Sequence, residues 1–348
     1  MAAPEKPSSP PGDPGQPAPE EGRLPGGVFV APGAPRRWLA RQLRGIGTRR
    51  RPRTAFVFAG GSSRGAAQIG MAQALVARGI TADAVYGASV GAINAAGYAG
   101  DPTEEGVERL AAIWRRLTRD DIFPQSRVPT ALRYFQQRES VHPNTALRKV
   151  IEEGITFEQM EQAVVHLEVV ATSLHDGHTR WFASGPAPDR ILASAALPAL
   201  LPPVEIDGES FIDGGVVDNV PIGRAMSEGA ERIFVLLCGP LHYTPNRYRR
   251  PVEAVLTAFF IAVHTRFVRE LARLPEGVEV VVFTVDSEPV SRYDDFSGTE
   301  ALIDAGRANA EAVLDFWQAG GLGDRLRPVR TVRAPRRSAL VSARDEAV

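Results

Sequence analysis

The sequence predicts an α/β fold, a three-layer α/β/α sandwich with a mostly parallel central sheet, flanked by disordered N- and C-terminal tails. Three observations lead there. Strand-like runs pass through glycine-rich turns into small-residue helical stretches: residues 54–59 into Gly60-Gly61-Ser62-Ser63-Arg64-Gly65, and Ala84-Val85-Tyr86 into Gly87-Ala88-Ser89-Val90-Gly91. Residues 233–238 are apolar without a break, as a strand covered on both faces requires. Both ends of the chain have compositions that cannot build a core.

Taken in order, residues 1–35 hold ten prolines and few large apolar groups, too little to offset their ordering entropy, and are expected to be disordered. Residues 36–53 carry eight arginines around Trp38, Leu39, Leu43 and Ile46. That spacing suits a basic amphipathic patch for anionic lipid, but Gly45 and Gly47 weaken a helix and favour a solvated tail. The folded domain is expected over residues 54–325. Its first helix places Ile69, Ala72, Leu75 and Val76 on one face and ends at Arg78-Gly79. Residues 103–165 read as mainly helical. Residues 167–171 and 278–285 are near-continuous apolar strands, each broken by one glutamate. Helices are expected over 252–274 and 299–318. In the first of these Phe259, Phe260, Val263 and Phe267 form a stripe, for which core packing is a stronger reading than lipid contact. Residues 326–348 form a basic tail, expected to be disordered.

Composition narrows the function. A net charge of −1 gives no reason to expect nucleic acid as a partner. The single cysteine, Cys238, excludes an intramolecular disulfide and suits a reducing compartment. The first residues lack the apolar segment of a secretion signal, and no run of about 18 apolar residues offers a spanning helix. The expectation is a cytoplasmic protein that meets a membrane, if at all, as a peripheral one at its inner surface. No ligand-type clustering of carboxylates with histidine points to a metal, and the chemistry described below needs no cofactor.

Gly87-Ala88-Ser89-Val90-Gly91 matches the G-x-S-x-G elbow, in which a serine on a tight strand-to-helix turn projects its hydroxyl from the sheet edge. Gly87 and Gly91 are needed where a Cβ would strike the neighbouring strand and helix. Gly60-Gly61-Ser62-Ser63-Arg64-Gly65 leaves N–H groups free at a helix start. It lacks the Gly-Lys-Ser/Thr end of a P-loop, and it has Ser62 where a dinucleotide fingerprint has its middle glycine, with Asp83 the only other support for that fingerprint. An oxyanion hole is the remaining reading. Phe211-Ile212-Asp213-Gly214-Gly215 sets a carboxylate at a strand end with Gly214 and Gly215 to limit crowding, although Asp-Gly is also a common turn.

Together the three segments resemble the patatin-like phospholipase family over about residues 54–222. The loop at residues 60–65 resembles that family's oxyanion-hole loop. Residues 87–95 are similar to its nucleophile elbow, and Asp213-Gly214-Gly215-Val216-Val217-Asp218-Asn219-Val220-Pro221 to its aspartate block. The resemblance implies a Ser89–Asp213 dyad without histidine, acting on fatty-acyl esters of phospholipids or lysophospholipids. Asp213 would need a pKa raised by burial to act as the base. Ser62 departs from the family's third glycine, and a positive φ there would cost a serine energy. Two alternatives stay open. A triad would recruit His242, which lies just past the strand ending near Cys238, and a catalytically silent lipid-binding protein would leave Ser89 unreactive.

Overall fold

The computed structural model describes residues 26–30, 53–124, 140, 142–241, 251–285 and 294–319, and these residues form one α/β body. Its centre is a parallel set of five strands: β2 (Thr54–Phe58), β3 (Ala84–Ala88), β4 (His166–Ser173), β8 (Arg232–Leu236) and β9 (Glu279–Phe283). Antiparallel strands complete both edges: β1 (Gly26–Val30) against β9 on one side, and β5 (Thr179–Phe182), β6 (Val204–Ile206) and β7 (Glu209–Asp213) beyond β4 on the other. The order runs β1-β9-β8-β2-β3-β4-β7-β6, with β5 also paired to β4. The expected parallel sheet is thus the middle of a mixed one.

The alternation of side chains along β2 makes the layers. Phe56 and Phe58 enter one core with Val85, Phe234 and Phe283, and Ala55, Val57 and Ala59 enter the other with Ile233, Val235 and Val282. The first core is roofed by α1 (Ala66–Ala77), α2 (Val90–Gly100), α3 (Glu104–Arg116), α6 (Ala187–Ser194) and α10 (Thr299–Gln318). The second lies under α8 (Ile222–Ser227), which follows the single turn α7 (Gly215–Asp218), and the C-terminal part of α9 (Pro251–Leu271). Each fully buried Phe contributes roughly 2 kcal/mol relative to exposure, so the aromatic row Phe56, Phe58, Phe234 and Phe283 anchors the larger core.

One short stretch of the N-terminal segment has a place in the sheet. Residues 26–30, inside the segment expected to be disordered, form β1, in register with β9 from Gly26↔Phe283 to Val30↔Glu279. Val28, Phe29 and Val30 are strand-forming residue types, and the free edge of β9 supplies the partner that outweighs the proline-rich surroundings. The stretch expected to be mainly helical resolves into α3, α4 (Arg119–Ile122) and α5 (Thr145–Gly154) in its described parts. Residues 36–52 of the Arg-rich segment, His242 and the tail at 326–348 lie outside the described residues. Among the described residues no helix is long and apolar enough to cross a membrane.

Candidate active site

Strand register brings the serine and the aspartate together. β3 pairs with β4 as far as Ala88↔Val170, and β7 takes up β4 from Asp213↔Ala171, the next position along the same strand. Ser89 therefore leaves the end of β3 beside the end of β7. Its backbone holds φ +56°, a conformation costly for a non-glycine residue and characteristic of a serine lifted onto an elbow. The turn closes tightly. A Cβ on Gly87 would lie 2.6 Å from the backbone of Ala92, and one on Gly91 would lie 2.1 Å from the Phe58 carbonyl oxygen.

Ser89 Oγ donates to Asp213 Oδ2 over 2.6 Å, while Asp213 Oδ1 accepts the Gly215 N–H at 2.7 Å. Asp213 is 1% exposed, and burial pushes its carboxyl up to about 6, against the opposing pull of those two hydrogen bonds. A second buried carboxylate, Asp218, is pushed up to about 7 by burial and by nearby Glu270, with Arg266 opposing. Residues not singled out in the sequence lock this arrangement. The Ser89 N–H is directed at both the carbonyl and the hydroxyl oxygen of Ser194, at 3.2 Å each. The same Ser194 carbonyl takes the Gly214 N–H, and Ala196 O takes that of Asp213. Thr172 Oγ1 donates to the Asp213 carbonyl at 2.8 Å.

The structure divides the residue 60–65 loop. Gly60 spends its N–H on the Asn219 carbonyl, and Arg64 its N–H on Gly61 O. Ser62 has φ +55°, the strained conformation that its replacement of a glycine foretold. The Arg64 side chain is half-buried, and that burial lowers its pKa. Cys238 is core: its thiol donates to Ala59 O at 3.3 Å, and burial pushes its pKa up to about 12.

Ser89 and Asp213 lie at the polar end of a pocket that is partly open to solvent. The walls are apolar, with Ile93, Trp114, Leu147, Leu197, Phe259 and Phe296 among them. The helices α3 and α5 and the end of α4 with Phe123 thus line the pocket, a role that their sequence had not disclosed. Among the described residues no histidine lines it, and no three His, Cys, Asp or Glu side chains are gathered as a metal ion would need. Of the expected stripe on α9, Phe267 is core, Phe259 is half-buried in the pocket wall, and Phe260 is exposed at its rim.

The patatin-like phospholipase family matches residues 56–226. An uncharacterised NTE family protein of Mycobacterium bovis is 30% identical over 200 residues, covering 58% of this chain and 53% of that protein. The lysophospholipase NTE1 of Saccharomyces cerevisiae is 29% identical over 201 residues, 55% of this chain and 11% of its own length. The chain thus spans about half the length of the mycobacterial relative. Among solved structures, human GIVD cytosolic phospholipase A2 in complex with methyl γ-linolenyl fluorophosphonate and terbium chloride aligns with a TM-score of 0.44 at 13% identity, over 77% of this chain and 59% of that one.

Proposed function

On the premise that this chain carries a patatin-like phospholipase domain at residues 56–226, we propose that it is a serine acyl hydrolase that cleaves fatty-acyl esters of phospholipids or lysophospholipids. One observation carries the reading: a 2.6 Å hydrogen bond from Ser89 to a buried carboxylate at the polar end of an apolar pocket. A pocket of this kind suits an acyl chain, each buried methylene contributing about 0.8 kcal/mol.

In this reaction Asp213 Oδ2 takes the Ser89 proton as Oγ attacks the ester carbonyl. Negative charge gathers on the carbonyl oxygen, where N–H groups of the Gly61–Ser63 stretch stabilise it, and the α2 N-terminus behind Ser89 favours the same charge. Collapse expels the alcohol half of the lipid, which takes the proton from Asp213. Water, deprotonated by Asp213 in turn, then releases the fatty acid from Ser89. The carboxyl at about 6 lies close enough to neutrality to accept a proton yet is mostly ionised at pH 7.

The finer part of the proposal is peripheral contact with a lipid surface through the rim of the pocket. Phe260 and Ile261 on α9 are 37% and 40% exposed, Arg266 and Arg269 follow on the same helix, and Arg273 lies just past its end. Aromatic and aliphatic side chains beside arginines suit the boundary between acyl chains and anionic headgroups. Fluorophosphonate labelling tests the enzyme claim: the folded chain should be modified at Ser89 and Ser89→Ala should not. An unlabelled, folded wild-type chain that binds lipid would overturn it in favour of a silent lipid-binding protein.

A further inference from the structure

A chain of buried amides runs from the pocket wall to both ends of the residue 60–65 loop. Trp114 Nε1 donates to Asn94 Oδ1 at 2.9 Å. Asn94 Nδ2 donates to the Gly65 carbonyl at 3.0 Å and to Gln68 Oε1 at 2.8 Å. Gln68 Nε2 donates to the carbonyls of Ala59 and Leu236, at 2.8 Å each. The direction is unambiguous. The indole nitrogen can only donate and the three backbone carbonyls can only accept, so both amide orientations follow from their neighbours. Every amide proton is used, and Gln68 and Asn94 are 0% and 1% exposed.

The contacts fall at telling places. Ala59 is the last residue before the loop and Gly65 the first after Arg64, so the two amides hold the loop at entry and exit. Leu236 ends β8, and Asn94 lies on α2, the helix that follows Ser89. The loop is thereby tied to the sheet and to the nucleophile's own helix. Trp114 adds a third restraint: a Cβ on Gly65 would lie 3.1 Å from its ring, and the ring also lines the acyl pocket.

We propose that Gln68 and Asn94 are positioning residues that set the height of the Gly61–Ser63 N–H groups over Ser89, with Trp114 linking that setting to the wall of the acyl pocket. The inference rests on the reading of Ser89 as nucleophile. A buried polar network in which every proton is used rigidifies what it touches, and an oxyanion hole works through donors held in place before charge develops. A merely structural amide pair would support folding without distinguishing ground state from transition state.

A matched pair of ligands separates these roles. A long-chain trifluoromethyl ketone adds Ser89 Oγ to its carbonyl carbon, the serine proton passing to Asp213, and leaves an oxyanion in the hole. A primary alcohol of the same chain length fills only the pocket. In Gln68→Met the ketone should bind about 10- to 100-fold more weakly and ester kcat should fall by a similar factor, while KM and alcohol affinity stay within about twofold. Trp114→Phe keeps a ring against Gly65 and removes only the first donor. Because the ring also lines the pocket, its readout is the ratio of ketone to alcohol affinity, which should fall about 3- to 10-fold, and it carries the test if Gln68→Met does not fold. Unchanged ketone affinity and kcat in a folded variant, with only the thermal midpoint lowered, would overturn the proposal. A wild-type chain that binds ketone no better than alcohol would instead overturn the hydrolase reading beneath it.

Discussion

Gly60 and Asn219 hold each other by a reciprocal pair of hydrogen bonds: Gly60 N–H to the Asn219 carbonyl at 3.1 Å, and Asn219 Nδ2 to the Gly60 carbonyl at 3.2 Å. The loop after β2 and the block that follows Asp213 are therefore one mechanical unit, although 159 residues separate the two partners. The Ser89–Asp213 hydrogen bond spans this unit.

Gly60→Ala attacks that unit directly. The added Cβ would meet Asn219 Oδ1 at 2.2 Å and Ser89 Cβ at 3.0 Å, so the Asn219 side chain must move and the serine be pressed aside. Ester turnover should fall by 10-fold or more, as about 1.4 kcal/mol of lost transition-state stabilisation gives. Steady-state kinetics on the folded variant check this, and turnover within twofold of wild type would show that the pair does not constrain the serine.

The raised carboxyls give a pH signature with a definite sign. Catalysis needs Asp213 ionised, so kcat/KM should rise about tenfold per unit below pH 6 and flatten above it. Stability runs the other way. Asp213 and Asp218 bind protons more tightly folded than unfolded, so each stabilises fully below about pH 4. Each contribution is lost as pH rises through about 6 for Asp213 and about 7 for Asp218. For Asp213 the effect is on the order of 3 kcal/mol. Thermal midpoints measured from pH 4 to 8 should fall less steeply in Asp213→Asn than in wild type, and equal slopes would contradict the assignment.

Pocket length should govern chain length. Val150 lines the pocket from α5, and Val150→Trp fills part of that space. Hydrolysis of a long-chain ester should drop at least 10-fold relative to a butyryl ester on the same leaving group. Parallel losses on both esters would mean that the acyl chain lies elsewhere.

The exposed rim makes a separate claim. Ile261→Asp should weaken binding to anionic vesicles and slow hydrolysis on them, while turnover of a monomeric ester changes less than twofold. Flotation and a water-soluble substrate measured on the same preparation decide it. Undiminished vesicle binding would move the lipid contact to another face.

Much of this site is local chemistry and was therefore legible in sequence. Gly87 and Gly91 mark places where a Cβ has no room, and residues 233–238 show a strand covered twice. The Ser62 departure could be read as well, since the demand for a positive φ is a property of one residue. What remained hidden depends on distant partners. β1 forms because β9 offers an edge, which residues 26–30 alone do not reveal. Gln68, Ser194 and Thr172 are polar residues at the middle or end of apolar stretches, and only the fold shows that their partners are Ala59, Ser89 and Asp213. The α9 stripe divided between core, pocket wall and exposed rim because three surroundings meet along one helix.

The central claim is that Asp213 alone serves as base for Ser89. Turnover of a p-nitrophenyl ester by Asp213→Ala and His242→Ala, each checked for folding by thermal melting, tests it most directly. Loss of turnover in Asp213→Ala with activity retained in His242→Ala is the outcome expected of a dyad. Loss in a folded His242→Ala would show that a histidine takes the serine proton and would contradict it.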